Sequence, residues 1–149
     1  MTPLIRIAAW LRKSYWFVFR PRTSGVKALV VKDGRVLLVK NTYGDQLLLP
    51  GGGMDKGESP EQAIRRELRE EAGVLPNKLR LMGEYLSVRE HKRDTIFLFY
   101  VDDFTTEASR SMEIRSCGYY DPHALPKDVS ASTLQRLKAD PQGFERGAW

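Results

Sequence analysis

The sequence predicts an α/β (α+β) domain built on a mixed β-sheet. Three observations carry this: β-rich runs come in pairs joined by turn residues, one strongly amphipathic acidic helix stands between the pairs, and a short helix closes the chain. The 149 residues suit one domain, and 42% hydrophobic residues suffice to fill its core.

From the N-terminus, Thr2 followed by Pro3 reads as an N-cap with proline at the first helical position. Leu4, Ile7, Ala8, Leu11, Tyr15 and Val18 then recur at helical spacing. Residues 1–22 are therefore expected to be an amphipathic helix and its connector, residues 23–141 the main domain, and residues 142–149 a C-terminal tail. The runs VKALVVK (26–32) and RVLLVK (35–40) are strand-like and are joined by Asp33-Gly34, a two-residue hairpin signal. DQLLLP (45–50) is a short apolar run leading into three glycines. LRLMGEYLSV and TIFLFYV form a second strand pair around the charged segment REHKRD (89–94), read as a longer hairpin loop. GYYDPHAL is turn-rich, and STLQRLKAD (132–140) reads as the closing helix, with Pro141 just past its end.

Composition narrows the setting. The single cysteine, Cys117, excludes an internal disulfide and a cysteine-based zinc cluster, which favours a reducing, cytoplasmic compartment. No apolar run approaches the length of about 18 residues that a transmembrane helix needs, so a soluble protein is expected. Net charge of +5 suits anionic ligands such as phosphates but does not demand a stable nucleic-acid complex, and none is expected. The first 22 residues place Trp10, Trp16, Phe17 and Phe19 among arginines and lysine. Such a helix can pack on its own domain, join a homodimer or lie on an anionic membrane surface.

The segment GGGMDKGESPEQAIRRELREEAGV, 51–74, carries the chemistry. Ser59 and Gln62 fit a capping box, Pro60 sits at the first helical position and Gly73 can close the helix. Ile64, Leu68 and Ala72 should face the sheet, while Glu67, Glu70 and Glu71 share a neighbouring flank. Like charges at these spacings weaken a helix, and the helix dipole disfavours them so late along it. A hard divalent cation bound by oxygen ligands resolves the conflict, and Mg²⁺, shared between a few carboxylates and a substrate's phosphates, fits best.

Gly52, Glu58, Arg66, Glu67, Leu68, Glu70, Glu71, Gly73 and Val74 resemble, without departure, the signature of the Nudix hydrolase family. LLPGG and the strand order extend the resemblance over about residues 25–140. It implies a Nudix-type α/β/α sandwich with a mixed sheet, and Mg²⁺-dependent (or Mn²⁺-dependent) cleavage of a diphosphate bond in a nucleoside diphosphate linked to another group X, a nucleotide-type small molecule. It further implies that Glu67, Glu70 and Glu71 are metal ligands with the carbonyl of Gly51. Glu58, Arg66, Gly52 and Gly73 would support the site. The catalytic base would be a helix glutamate, Glu70 or Glu67, or the loop residue Glu113. Arg89 and Lys92 are candidate phosphate contacts. Two subgroup marks are missing: SVREHKR (87–93) has neither the proline of ADP-ribose enzymes nor, just beyond, the tyrosine of diadenosine-polyphosphate enzymes. Open alternatives are a MutT-type nucleoside triphosphate pyrophosphatase, an RNA 5′-end pyrophosphohydrolase, and a nucleotide-binding module without catalysis.

Overall fold

The two-residue hairpin forms where it is predicted. Strands β1 (Thr23–Lys32) and β2 (Arg35–Asn41) are joined through Asp33 at φ 51° and Gly34 at φ 73°, the left-handed pair such a turn requires. This computed structural model describes residues 23–89, 92–109 and 111–149, with the side chains of Thr23, Arg89 and Lys92 outside the description. The N-terminal helix expected over 1–22 lies outside the described residues.

The remaining elements are β3 (Leu47–Leu48), helix α1 (Pro60–Ala72), β4 (Val74–Pro76), β5 (Arg80–Arg89), β6 (Lys92–Val101), β7 (Phe104–Thr106), β8 (Ile114–Tyr120), helix α2 (Ala131–Arg136) and β9 (Glu145–Ala148). The main sheet runs β3-β2-β1-β6-β5-β9, with β8 on β2, and β4 pairs with β7 apart from it. Pairing is parallel for β1 with β6 and for β5 with β9, and antiparallel elsewhere, so the sheet is mixed as expected.

Each face of the sheet has its own core. Val26, Ala28, Val30, Leu37, Phe99 and Val101 pack with Ala63, Ile64 and Leu68 of α1. Leu29, Leu38, Leu49, Met82, Tyr85, Leu98 and Val129 fill the other face, where Leu137 and Ala139 just beyond α2 pack. This is the α/β/α sandwich.

Three expectations need correction. Residues 142–149 are not simply a tail: Gly83 to Leu86 of β5 pair in parallel with Glu145 to Ala148, because an open sheet edge accepts another strand through backbone hydrogen bonds alone. The described part of the charged stretch 89–94 is strand, with Arg89 facing Lys92 and Val88 facing Arg93. An exposed ladder does not need apolar side chains to form. Finally, residues 118–120 of the segment expected to be turn-rich belong to strand β8, IRSCGYY, whose pattern lacks an alternating apolar signal.

Candidate active site

The glycine segment is placed by β1. Only Val31 and Lys32 of β1 pair with β2; upstream, Val26 and Ala28 donate their N–H groups to the carbonyls of Gly52 and Pro50, and Met54 donates to Ser24. Residues 50–54 thus run along a strand edge that β2 has vacated. Gly51 sits at φ 130°, and a β-carbon there would run into the Val26 carbonyl, so only glycine fits this close passage.

Helix α1 is held at both ends. Ser59 accepts from the Gln62 N–H while Gln62 accepts from the Ser59 N–H, and Gly73 at φ 63° donates to the Arg69 carbonyl. Its buried stripe turns Glu67 and Glu71 toward the glycines. The Gly51 N–H donates to Glu71 Oε2 at 2.8 Å, and Gly52 lies so close to Glu67 that a β-carbon would stand 2.7 Å from Oε1. Arg66 ties the cluster together. Its Nε and Nη2 bond Glu58 Oε1 and Oε2, each at 2.9 Å, Nη1 bonds Glu67 Oε1 at 2.8 Å, and Nη2 also reaches the Gly53 carbonyl at 2.9 Å.

The electrostatics follow burial. Desolvation pushes the Glu71 carboxyl up to about 7; Lys27 and the Gly51 N–H pull it down, and Glu67 and Glu113 push it further up. Burial likewise raises Glu67, against the hydrogen bond and charge of Arg66. Glu58 goes the other way, to about 2, held chiefly by the Arg66 hydrogen bond and then by the Asp55 N–H. Glu70, with 58% of its side chain exposed, stands 3.6 Å from Arg66 Nη1. Glu113, exposed and anchored by its backbone to Thr42 and Ser111, is near enough to Glu71 for its charge to be felt. The side chains of Arg89 and Lys92 lie outside the described residues.

Lys27 was not singled out from the sequence. Its ammonium donates to the Leu49 carbonyl at 3.0 Å and to the Gly51 carbonyl at 2.7 Å, and it lies within the field of Glu71 and Glu67. The available signal is a charge inside the apolar stretch VKALVV, 26–31, an expensive position for a lysine that lacks partners.

Glu67, Glu70 and Glu71 share one flank of α1; Arg66 Nη1 lies against both Glu67 and Glu70, while Glu71 accepts the Gly51 N–H. Among the described residues, no three His, Cys, Asp or Glu side chains form a ready-made metal shell. Their chemistry nonetheless fits a hard divalent cation: the donors are all carboxylate or carbonyl oxygen, and burial makes the ionised forms of Glu67 and Glu71 costly, a cost that a bound cation would offset.

Comparison with known proteins agrees with this architecture. Residues 20–139 match the family model described as NUDIX domain. An ADP-ribose pyrophosphatase of Methanocaldococcus jannaschii is 30% identical over 120 residues, covering 77% of this chain and 70% of that protein. An RNA pyrophosphohydrolase of Hydrogenovibrio crunogenus is 37% identical over 65 residues, 44% of this chain and only 38% of the relative. In structure, a MutT NUDIX hydrolase from Burkholderia pseudomallei superposes with a TM-score of 0.71 at 23% identity, covering 80% of this chain and 98% of that one.

Proposed function

The chain belongs to the Nudix family and is a hydrolase of phosphoric anhydride bonds, and we propose that it is a Mg²⁺-dependent pyrophosphohydrolase cleaving the diphosphate of a nucleoside diphosphate linked to another group X. The observation that carries this reading is the placement of Glu67 and Glu71, half-buried, against the backbone of Gly51 and Gly52.

Glu67, Glu70 and Glu71 would hold the cation, with the free lone pair of the Gly51 carbonyl beside them; Mn²⁺ has the same hard-oxygen preference. When bound, the metal supplies charge neutralisation for the diphosphate and a lowered pKa for the attacking water. The chain's own residues do the rest. Arg66 fixes the rotamers of Glu58 and Glu67 through charge-assisted bonds, so the carboxylates meet the ligand already oriented. The absence of a β-carbon at Gly52 leaves the Glu67 carboxylate room against the loop. Glu70, the most exposed of the three, and Glu113, whose charge is felt at Glu71, are the two candidates to accept the water's proton. Water adds across the P–O–P bridge, giving a nucleoside monophosphate and phosphorylated X.

The substrate is a nucleotide-type small molecule, and the named relative makes ADP-ribose the first compound to try. The test is a Mg²⁺ panel of ADP-ribose, dinucleoside polyphosphates, canonical and oxidised nucleoside triphosphates, nucleotide sugars and triphosphorylated RNA, with products scored to locate the cut bond. The expected result is turnover of at least one diphosphate compound that Glu70→Gln abolishes; undiminished turnover in the variant overturns the assignment. A reducing, cytoplasmic setting suits the free Cys117, and no helix among the described residues is long and apolar enough to cross a membrane.

A further inference from the structure

We propose that Lys32, Arg35 and Tyr119 form a second anion subsite, which holds a sugar phosphate of the substrate while its diphosphate lies at the carboxylate centre. This rests on the pyrophosphohydrolase reading above and deepens it, naming nucleotides with a further phosphate on the ribose as the substrate class.

The first hairpin sets two cations side by side. Lys32 and Arg35 stand directly opposite each other in the β1–β2 register, on either side of the Asp33-Gly34 turn, and both are exposed. Like charges facing across a ladder destabilise it, and among the described residues neither side chain has a salt-bridge or hydrogen-bond partner. Elsewhere on this half of the sheet the cations are paired, Lys40 with Asp128 and Arg115 with Asp45. An anion bridging Lys32 and Arg35 relieves the conflict, and the arginine fork matches phosphate oxygens. Asp33 lines the same cleft, where its carboxylate is placed to accept sugar hydroxyls.

Strand alternation puts this cleft on the side of the sheet that carries α1. Val30 and Leu37 belong to the core under that helix, so Lys32 and Arg35, each two residues away from one of them, share their face. Tyr119 stands opposite Leu37 and packs on the same core. Two residues before it on β8, Cys117 stands opposite Val39, and α1 packs against this strand. Partial burial and then the charge of Glu71 raise the Cys117 thiol, which marks the two groups as neighbours. The open face of β8 therefore leads from Glu71 past Cys117 and Tyr119 to the hairpin. Arg35 lies four residues along β2 from Val39, about 14 Å, a span that a nucleoside with phosphates at both ends covers once the long lysine and arginine stems reach back. The cleft lined by Lys32, Asp33, Arg35 and Tyr119 has a volume of about 360 Å³, enough for part of a small ligand, and the phenol ring gives the base or ribose an apolar wall.

Calorimetric titration with ligands that contain no diphosphate tests this without turnover. Wild-type protein in Mg²⁺ should bind adenosine 3′,5′-bisphosphate about tenfold more tightly than adenosine 5′-monophosphate. In the double variant K32Q/R35Q the two ligands should bind equally, with the monophosphate affinity unchanged. K138Q, which removes an exposed charge on the opposite side of the sheet, should keep the preference, and Tyr119→Leu should weaken both ligands alike. Equal affinities in the wild type, or a preference that survives in K32Q/R35Q, would overturn the proposal. The 5′-phosphorylated dinucleotide pApA separates the two sources of a sugar phosphate. A gain with the bisphosphate alone identifies a phosphorylated mononucleotide, a gain with pApA alone identifies an RNA 5′ end, and each upholds the subsite. Absence of turnover across the substrate panel sinks the pyrophosphohydrolase reading whatever the titration shows, whereas equal affinities beside active turnover sink the subsite alone.

Discussion

Arg66 grips Glu58 with two parallel hydrogen bonds, Nε to Oε1 and Nη2 to Oε2, both at 2.9 Å. Glu58 precedes α1 and Arg66 lies within it, so the pair clamps the approach loop to the helix that carries the metal-binding candidates. Its carboxyl is held at about 2 against an ordinary 4.5. Because the folded value is the lower one, the unfolded chain binds the proton more readily between those limits. The contribution of this pair is thus fully present above about pH 4.5 and is lost as pH falls toward about 2. Glu58→Gln should cost about 1 kcal/mol at pH 6 and progressively less on acidification. Urea denaturation at pH 6 and pH 3 checks this; a constant difference would refute it.

Gly51→Ala should be far more damaging than its size suggests. The substitution adds one methyl at φ 130° where the Val26 carbonyl already stands. A loss of roughly 3 kcal/mol is expected, seen as a lower thermal midpoint. The same change at Gly53, where a β-carbon meets nothing within 4 Å, should be nearly silent and serves as the control.

Ser59→Ala removes the side chain that accepts the Gln62 N–H at 3.2 Å and breaks the capping box. About 1 kcal/mol of stability should go with it, measured by chemical denaturation, with Ser59→Asp recovering most of the loss.

Arg136 is 4% exposed and stacks over the rings of Tyr85, at 4.1 Å, and Trp149, at 5.5 Å, while its Nη2 donates to the Ala148 carbonyl. It pins β9 to the sheet edge. Arg136→Ala should speed amide exchange at residues 145–148 while leaving β1 and β6 protected, since edge strands open locally at lower free energy than the centre. Equal acceleration throughout the sheet would show a global role instead.

How much of this was legible beforehand depends on the range of the interaction. The helix over 60–72, its capping box, its terminal glycine and the Asp33-Gly34 turn were all readable, because caps and tight turns are settled by residues within a few positions of each other. The buried row was nearly complete: Ile64 and Leu68 face the core as read, joined by Ala63, while Ala72 is partly buried against it. Strand β9 is illegible because its residues are all exposed and its pairing lies in the backbone; β8, half-buried at Ile114, Gly118, Tyr119 and Tyr120, shows no period-2 apolar alternation.

The sequence by itself determined the helix, its acidic flank and the family signature, since the fixed spacing of residues 52–74 converts directly into a shared face on one helical element. Only the tertiary structure decided what surrounds that flank. Lys27 stands 24 residues before Gly51, and Glu113 stands 42 beyond Glu71, measured along the sequence. Antiparallel pairing of the glycine loop with β1 closes the first distance; β8 on β2 brings the second near. A long-range contact depends on how the whole sheet registers, so neither partner's identity can announce the other.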